Sequence, residues 1–244
     1  MKVLLWAERK KLKRSKIVWL AVFATIMIAV IVFVQGQFPH NGVKYLDNAE
    51  WFMTAAQSLG TFFVLPGIIA LLGGYIICRE EQEDTAKSLS IIPVSETRLT
   101  IAKMIITLFF SVAIYLLLFL ITCLSEAVLH FEDLSFAIIS KFFRMYLING
   151  LGIFFAILPI IALIARMKKG YWLALIFAEV YSFFGLFIGS VLNDVVVYPI
   201  IAVFNLSGYY EASGGQIVGS IVSLLICSII AGIILYFPKR KENK

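Results

Sequence analysis

The chain has 244 residues, of which 61% are hydrophobic and 15% charged, with a formal net charge of +6 at pH 7 and a mean hydropathy of +0.95. With that composition and only short loops there is no room for a soluble catalytic domain, so one membrane domain, 1–244, is expected. The positive charge is an effect of topology, laid out below, and not a nucleic-acid footprint.

Residues 1–16, MKVLLWAERKKLKRSK, mix basic side chains with Leu4, Leu5, Trp6 and Leu12. They read either as an interfacial helix on the cytoplasmic leaflet or as a charged topogenic tail. The apolar run 17–34 that follows is longer than the roughly 7–15 residues of a signal-peptide core, and no A-x-A-like site follows it, so it is expected as a retained first span. Further apolar runs lie at 57–78, 99–124, 142–165, 171–191 and 217–237. Each approaches or exceeds the ~20 residues that a membrane-crossing helix needs. The fold class expected is therefore all-α and polytopic, with six transmembrane helices.

Threading the chain alternately from an inside N-terminus places 18 of its 21 Lys and Arg residues on one side, with Lys44, Lys141 and Arg144 on the other. That asymmetry is what a cytoplasmic face shows, so both termini are expected in the cytoplasm and the protein in the plasma membrane. Cys78, Cys123 and Cys227 are odd in number and widely spaced, and they read as small packing residues. Glu126, His130, Glu132 and Asp133 form a thin set of metal ligands, and no metal site is expected from them.

The segment 79–99, between the second and third apolar runs, is the most chemically specific. It opens with Glu80, Glu81, Glu83 and Asp84, and Asp84 is placed to cap a short helix over 85–92 that Pro93 ends. Leu89 and Ile92 would share one face of that helix beside Ser88, as a docking element for a soluble partner would. Periodicity alone also allows a solvated loop. An intramembrane protease of the E-E-x-x-x-R type is excluded at Glu80-Glu81, because Thr85 stands where the Arg is required.

Within the fifth run, Glu179 lies about half-way through the hydrocarbon. Ionisable groups at that depth are costly and count as functional candidates. Trp172, Leu175, Phe183 and Leu186 share its face, so its stabilising partner is either its own proton or a hydroxyl of another helix. The alternatives are a place on the translocation path or a structural interhelical hydrogen bond. The same run carries a small-residue face that includes Gly185 and Gly189, and the last run carries Gly215, Gly219 and Ser223 at intervals of four. Such faces let helix backbones approach closely, and the two are expected to pack on each other in preference to forming a subunit interface, which is the alternative. Between the two runs, residues 194–205 hold an apolar stretch too short to span, interrupted by Pro199. It is expected as an external re-entrant or interfacial element.

An acidic residue followed by Thr85, Lys87-Ser88-Leu89, Pro93-Val94-Ser95, Arg98-Leu99 and Lys103 resembles the first cytoplasmic loop of ABC-2 type permeases. Asp84 stands where that family has Gly, and Glu96-Thr97 intervene before Arg98. The layout is similar too, and the size resembles permeases of the lantibiotic-immunity and bacitracin-resistance type. The resemblance implies that Glu81, Asp84, Thr85, Ser88, Leu89, Ile92, Pro93 and Arg98 belong to a coupling helix seated on an ABC ATP-binding subunit. It also implies a second permease subunit, and export of amphipathic peptides or antibiotics. The sequence has no G-x-x-x-x-G-K-S/T phosphate cradle, so no cofactor and no enzymatic activity are expected of this chain, and ATP belongs to the partner. The competing classes are an ATP-independent transporter or channel and a non-transporting immunity or adaptor protein.

Overall fold

A computed structural model describes residues 2–13, 15–40, 42–82, 96–167, 170–191 and 198–236. Among them the helices are α1 Lys2–Lys13, α2 Lys16–Gly36, α3 Trp51–Leu59, α4 Leu65–Gln82, α5 Glu96–Leu129, α6 Phe136–Met167, α7 Leu173–Val191, α8 Pro199–Ser207 and α9 Gly214–Tyr236. Two short strands, β1 Pro39–His40 and β2 Val43–Lys44, pair antiparallel in the loop after α2. The protein is an all-α polytopic membrane protein.

Among the described residues, five stretches are long and apolar enough to cross a membrane: Lys16–Gly36, Trp51–Glu80, Thr97–Leu129, Phe136–Met167 and Gly214–Leu235. The expected fifth span forms α7, whose apolar stretch Leu173–Phe187 falls short of that length among the described residues. Several helices outrun the apolar stretches seen in sequence. At 34 residues, α5 is about 50 Å long and so projects beyond a hydrocarbon core of ~30 Å.

Local chemistry sets the helix boundaries. Ser15 sits in extended backbone, and its hydroxyl accepts the Ile17 N–H at 3.3 Å, so α1 and α2 stay separate elements. Between α3 and α4 the chain makes a π-helical turn, Gly60–Val64, without breaking the rod. Pro66 accounts for it. Proline has no N–H to give the preceding turn, and the Leu65 N–H reaches back to the Gly60 carbonyl. At the other sheltered termini the same logic holds, with Pro199 opening α8 at its first turn instead of interrupting it.

Helix α6 is the centre of the bundle and packs against α4, α5, α8 and α9. Its Gly150 shows how tightly. A Cβ there would lie 2.9 Å from the Val112 backbone, and the Gly150 carbonyl accepts the Ser111 hydroxyl at 2.6 Å. Phe52, Met53, Tyr115, Phe142, Tyr146 and Phe204 fill the interior. The outward faces of α2, α7 and α9 are almost wholly apolar, with Trp19, Phe23, Phe184 and Ile229 more than half exposed. Buried hydroxyls such as Thr25, Thr107 and Thr122 return to the carbonyl four residues earlier, so they cost little in a medium without water.

Candidate functional site

The coupling residues Asp84, Thr85, Ser88, Leu89, Ile92 and Pro93 lie outside the described residues, as does the side chain of Glu81 at the end of α4. What the structure does describe is the pair of stems that hold this loop. Glu80, near the end of α4, presents one carboxylate oxygen to Lys103 Nζ at 2.7 Å and the other to Lys11 Nζ at 2.8 Å. Lys103 lies two turns into α5 and is buried, while Lys11 comes from α1 and also meets Glu8 at 2.7 Å. Arg79 adds a hydrogen bond to the Lys11 carbonyl at 3.4 Å. Three elements thus meet on one carboxylate. Arg98 lies exposed in the first turn of α5.

This arrangement explains why α1 is an ordered helix docked on α5 and not a solvated tail. Burial pulls the Lys11 pKa down, but its hydrogen bonds and attraction to Glu8 and Glu80 outweigh that and hold it above its ordinary 10.5. A raised lysine pKa contributes stability that is complete below 10.5 and is lost only as the pH climbs past the raised value. The contact is therefore intact throughout the physiological range.

A second polar seam runs inside the bundle, between α7 and the rod formed by α3, the π turn and α4. The Thr61 carbonyl, five residues before Pro66, accepts the Ser182 hydroxyl at 3.1 Å. The Thr61 hydroxyl meets the Tyr115 hydroxyl at 3.1 Å. One turn before Ser182, the Glu179 carboxylate accepts a backbone hydrogen bond from Gly67. A Cβ at Gly67 would fall on that carboxylate, so glycine is what lets Glu179 reach the α4 backbone. A peptide group thus stands where the hydroxyl of another helix was one of the two expected partners. Trp172, Phe183 and Leu186 beside it are substantially exposed, which puts Glu179 at the margin of the bundle.

The two small-residue faces pack mainly on other helices. Ala174, Ala178, Ser182 and Gly185 are buried, the first three toward α4 and the π turn, while Gly185 closes on Tyr198 and Ile200. The side-chain surroundings of Gly189 lie outside the described residues. On α9, Ser223, Cys227 and Ala231 are buried where that helix meets α6 and α8, Gly219 is half-buried and Gly215 has open space around it. Tyr181 reaches Cys227 and so links α7 to α9. The short helix α8 wedges between α6 and α9, with Phe204 stacked on Phe62 at 4.5 Å.

On the side opposite the charge cluster, Glu126 is buried and one of its oxygens accepts the Glu50 N–H at 2.8 Å and contacts His130 Nδ1 at 3.0 Å. Glu50, the one non-glycine described residue with positive φ (66°), pairs in turn with Lys141 at 2.9 Å. The Glu126–His130 pair is thus spent on holding the α3 entrance to α5 and α6.

Comparison with known proteins bears on the loop and its stems together. A family described as ABC-2 family transporter protein matches residues 4–185, which takes in α1, the whole 79–99 segment and Glu179. A bacitracin transport permease protein of Bacillus licheniformis is 30% identical over 142 residues, covering 57% of this chain and 68% of that protein. With helices enough for a polytopic protein and a family match over most of its length, the chain belongs to the ABC-2 family of transporter proteins.

Proposed function

We propose that the chain is the six-span permease subunit of an ATP-driven exporter of amphipathic peptides or antibiotics, with α7 as its fifth span. The peptide-antibiotic class is suggested by the relative, whose name is that of a bacitracin transport permease. The observation that carries the mechanism is the Glu80 clamp. The two stems of the 83–95 loop are tied by a buried ion pair, and α1 is tied to both, so force applied to that loop reaches three helices as one unit. Residues 84–93, with Glu81 and Arg98 on the flanks, would form the helix that seats on an ATP-binding subunit, Leu89 and Ile92 being its apolar contacts.

ATP would be bound and hydrolysed by that partner alone. Two permease subunits, identical or paralogous, would enclose the path, and the inside segments rich in Lys and Arg would face the cytoplasm. Glu179, held at the edge of α7 by a backbone donor, would meet a cationic substrate as it passes. Purification from native membranes in mild detergent tests the reading. A stoichiometric ATPase chain should accompany the permease. Its absence, with transport intact in vesicles lacking ATP, would point to an ATP-independent carrier or channel instead.

A further inference from the structure

A groove of about 860 Å³ runs between α1, the start of α2 and the third and fourth turns of α5. Its floor is apolar, made by Leu5, Leu12, Val18, Ile106, Phe109 and Phe110. Its rim is basic and aromatic. Arg9, Lys10 and Trp6 line it, all three are exposed, and Lys10 Nζ lies 4.5 Å from the centre of the Trp6 ring. The division of labour along α1 is clear-cut. Lys11 turns inward to Glu8 and Glu80, while Arg9 and Lys10, two and one residues earlier, turn to the groove. A second apolar depression of about 440 Å³ lies on the same end of α2, lined by Ile17, Trp19, Leu20 and Phe23 with Lys16 at its edge.

An apolar trough with two cations and a tryptophan on its rim matches a molecule with an apolar tail and an anionic head. We infer that the groove is a binding site for one anionic phospholipid of the inner leaflet, acyl chain along Phe109 and Val18, headgroup phosphate between Arg9 and Lys10. The charge complementarity decides the occupant. A polybasic amphipathic helix next to a first span attracts anionic headgroups, and indole rings settle at headgroup depth. A wholly apolar occupant would offer Arg9 and Lys10 no anion. Because α1 is clamped to the stems of the 83–95 loop, a lipid seated here would steady the same unit that the loop drives. The assignment to the inner leaflet rests on the proposed inside N-terminus. Side-specific cysteine labelling tests that placement separately, so the failure of one is distinguishable from the failure of the other.

Native mass spectrometry of the full-length protein, incubated with phosphatidylglycerol or phosphatidylcholine, measures the site. Retention of one phosphatidylglycerol per chain is expected, with a preference over phosphatidylcholine of about fivefold for each of the two cations. Arg9→Gln with Lys10→Gln should abolish the preference, and Lys44→Gln on the opposite face should leave it intact. Val18→Trp, which fills the floor and keeps both cations, should lower retention of phosphatidylglycerol. Equal retention of the two lipids by the unaltered protein would overturn the inference, as would a preference that survives in the double variant. So would a disulfide between copies at Phe109→Cys in a chain without its native cysteines, since a second copy would then occupy the groove.

Discussion

Glu179 costs free energy wherever it sits in a bilayer, and Gly67 is the reason that the cost is bearable. Because the bond is to a backbone donor, a neutral acceptor of the same shape serves as well. Glu179→Gln should therefore leave thermal stability unchanged, while Glu179→Leu should lower it by roughly 1 kcal/mol, the scale of measured interhelical bonds. If the residue also meets a cationic substrate, Gln should cut export without altering assembly or basal ATP hydrolysis. Wild-type export and stability in both variants would remove either role. The candidacy of Glu179 was legible in the sequence, from an ionisable residue placed in an apolar run. Its partner was not, because a backbone N–H leaves no signature. The Glu80 clamp was hidden for another reason. Read locally, Glu80 belongs to an acidic cluster, and its cations lie 23 residues ahead and 69 behind. No helical or strand periodicity connects such positions.

At the scale of elements, the clamp makes a measurable claim. Removing one member of a buried ion pair leaves the other uncompensated and typically costs about 3–5 kcal/mol. Lys11 also serves Glu80 and is partly exposed, so Lys103→Met should fall at or below the lower end. Adding Glu80→Gln to Lys103→Met should recover part of the loss, since no charge is then stranded. Thermal unfolding of Lys103→Met, Glu80→Gln and the double variant checks this, and strict additivity would mean that the pair does not act as a unit. The apolar runs located the helices well because hydrocarbon selects for them directly. They set the ends poorly, because α3, α5 and α6 continue into segments where packing and capping, not hydropathy, decide. The small-residue faces were legible as close-packing surfaces, but which helix each would meet depended on the path of α8, set by Phe204 and the Pro199 start.

At the scale of the whole molecule, the proposed threading rests on the distribution of charge. A cysteine at Ser213, in a chain lacking its native cysteines, should react with an impermeant thiol reagent from outside, and one at Lys169 only after the membrane is opened. The opposite pattern would invert the topology. A coupled permease must also do more than cross the membrane in the right sense. The loop 83–95 must transmit work from an ATPase into α1, α4 and α5. Leu89→Asp tests that claim most directly, by placing a charge on the apolar contact while leaving the Glu80 clamp untouched. Export should be measured in vesicles containing the permease and its co-purifying ATPase, with and without ATP. The account predicts that the variant inserts and folds normally, while ATP-driven export falls at least about tenfold, as loss of one well-packed apolar contact of ~1.4 kcal/mol or more requires. Unchanged ATPase association together with unchanged ATP-driven export in Leu89→Asp would contradict it.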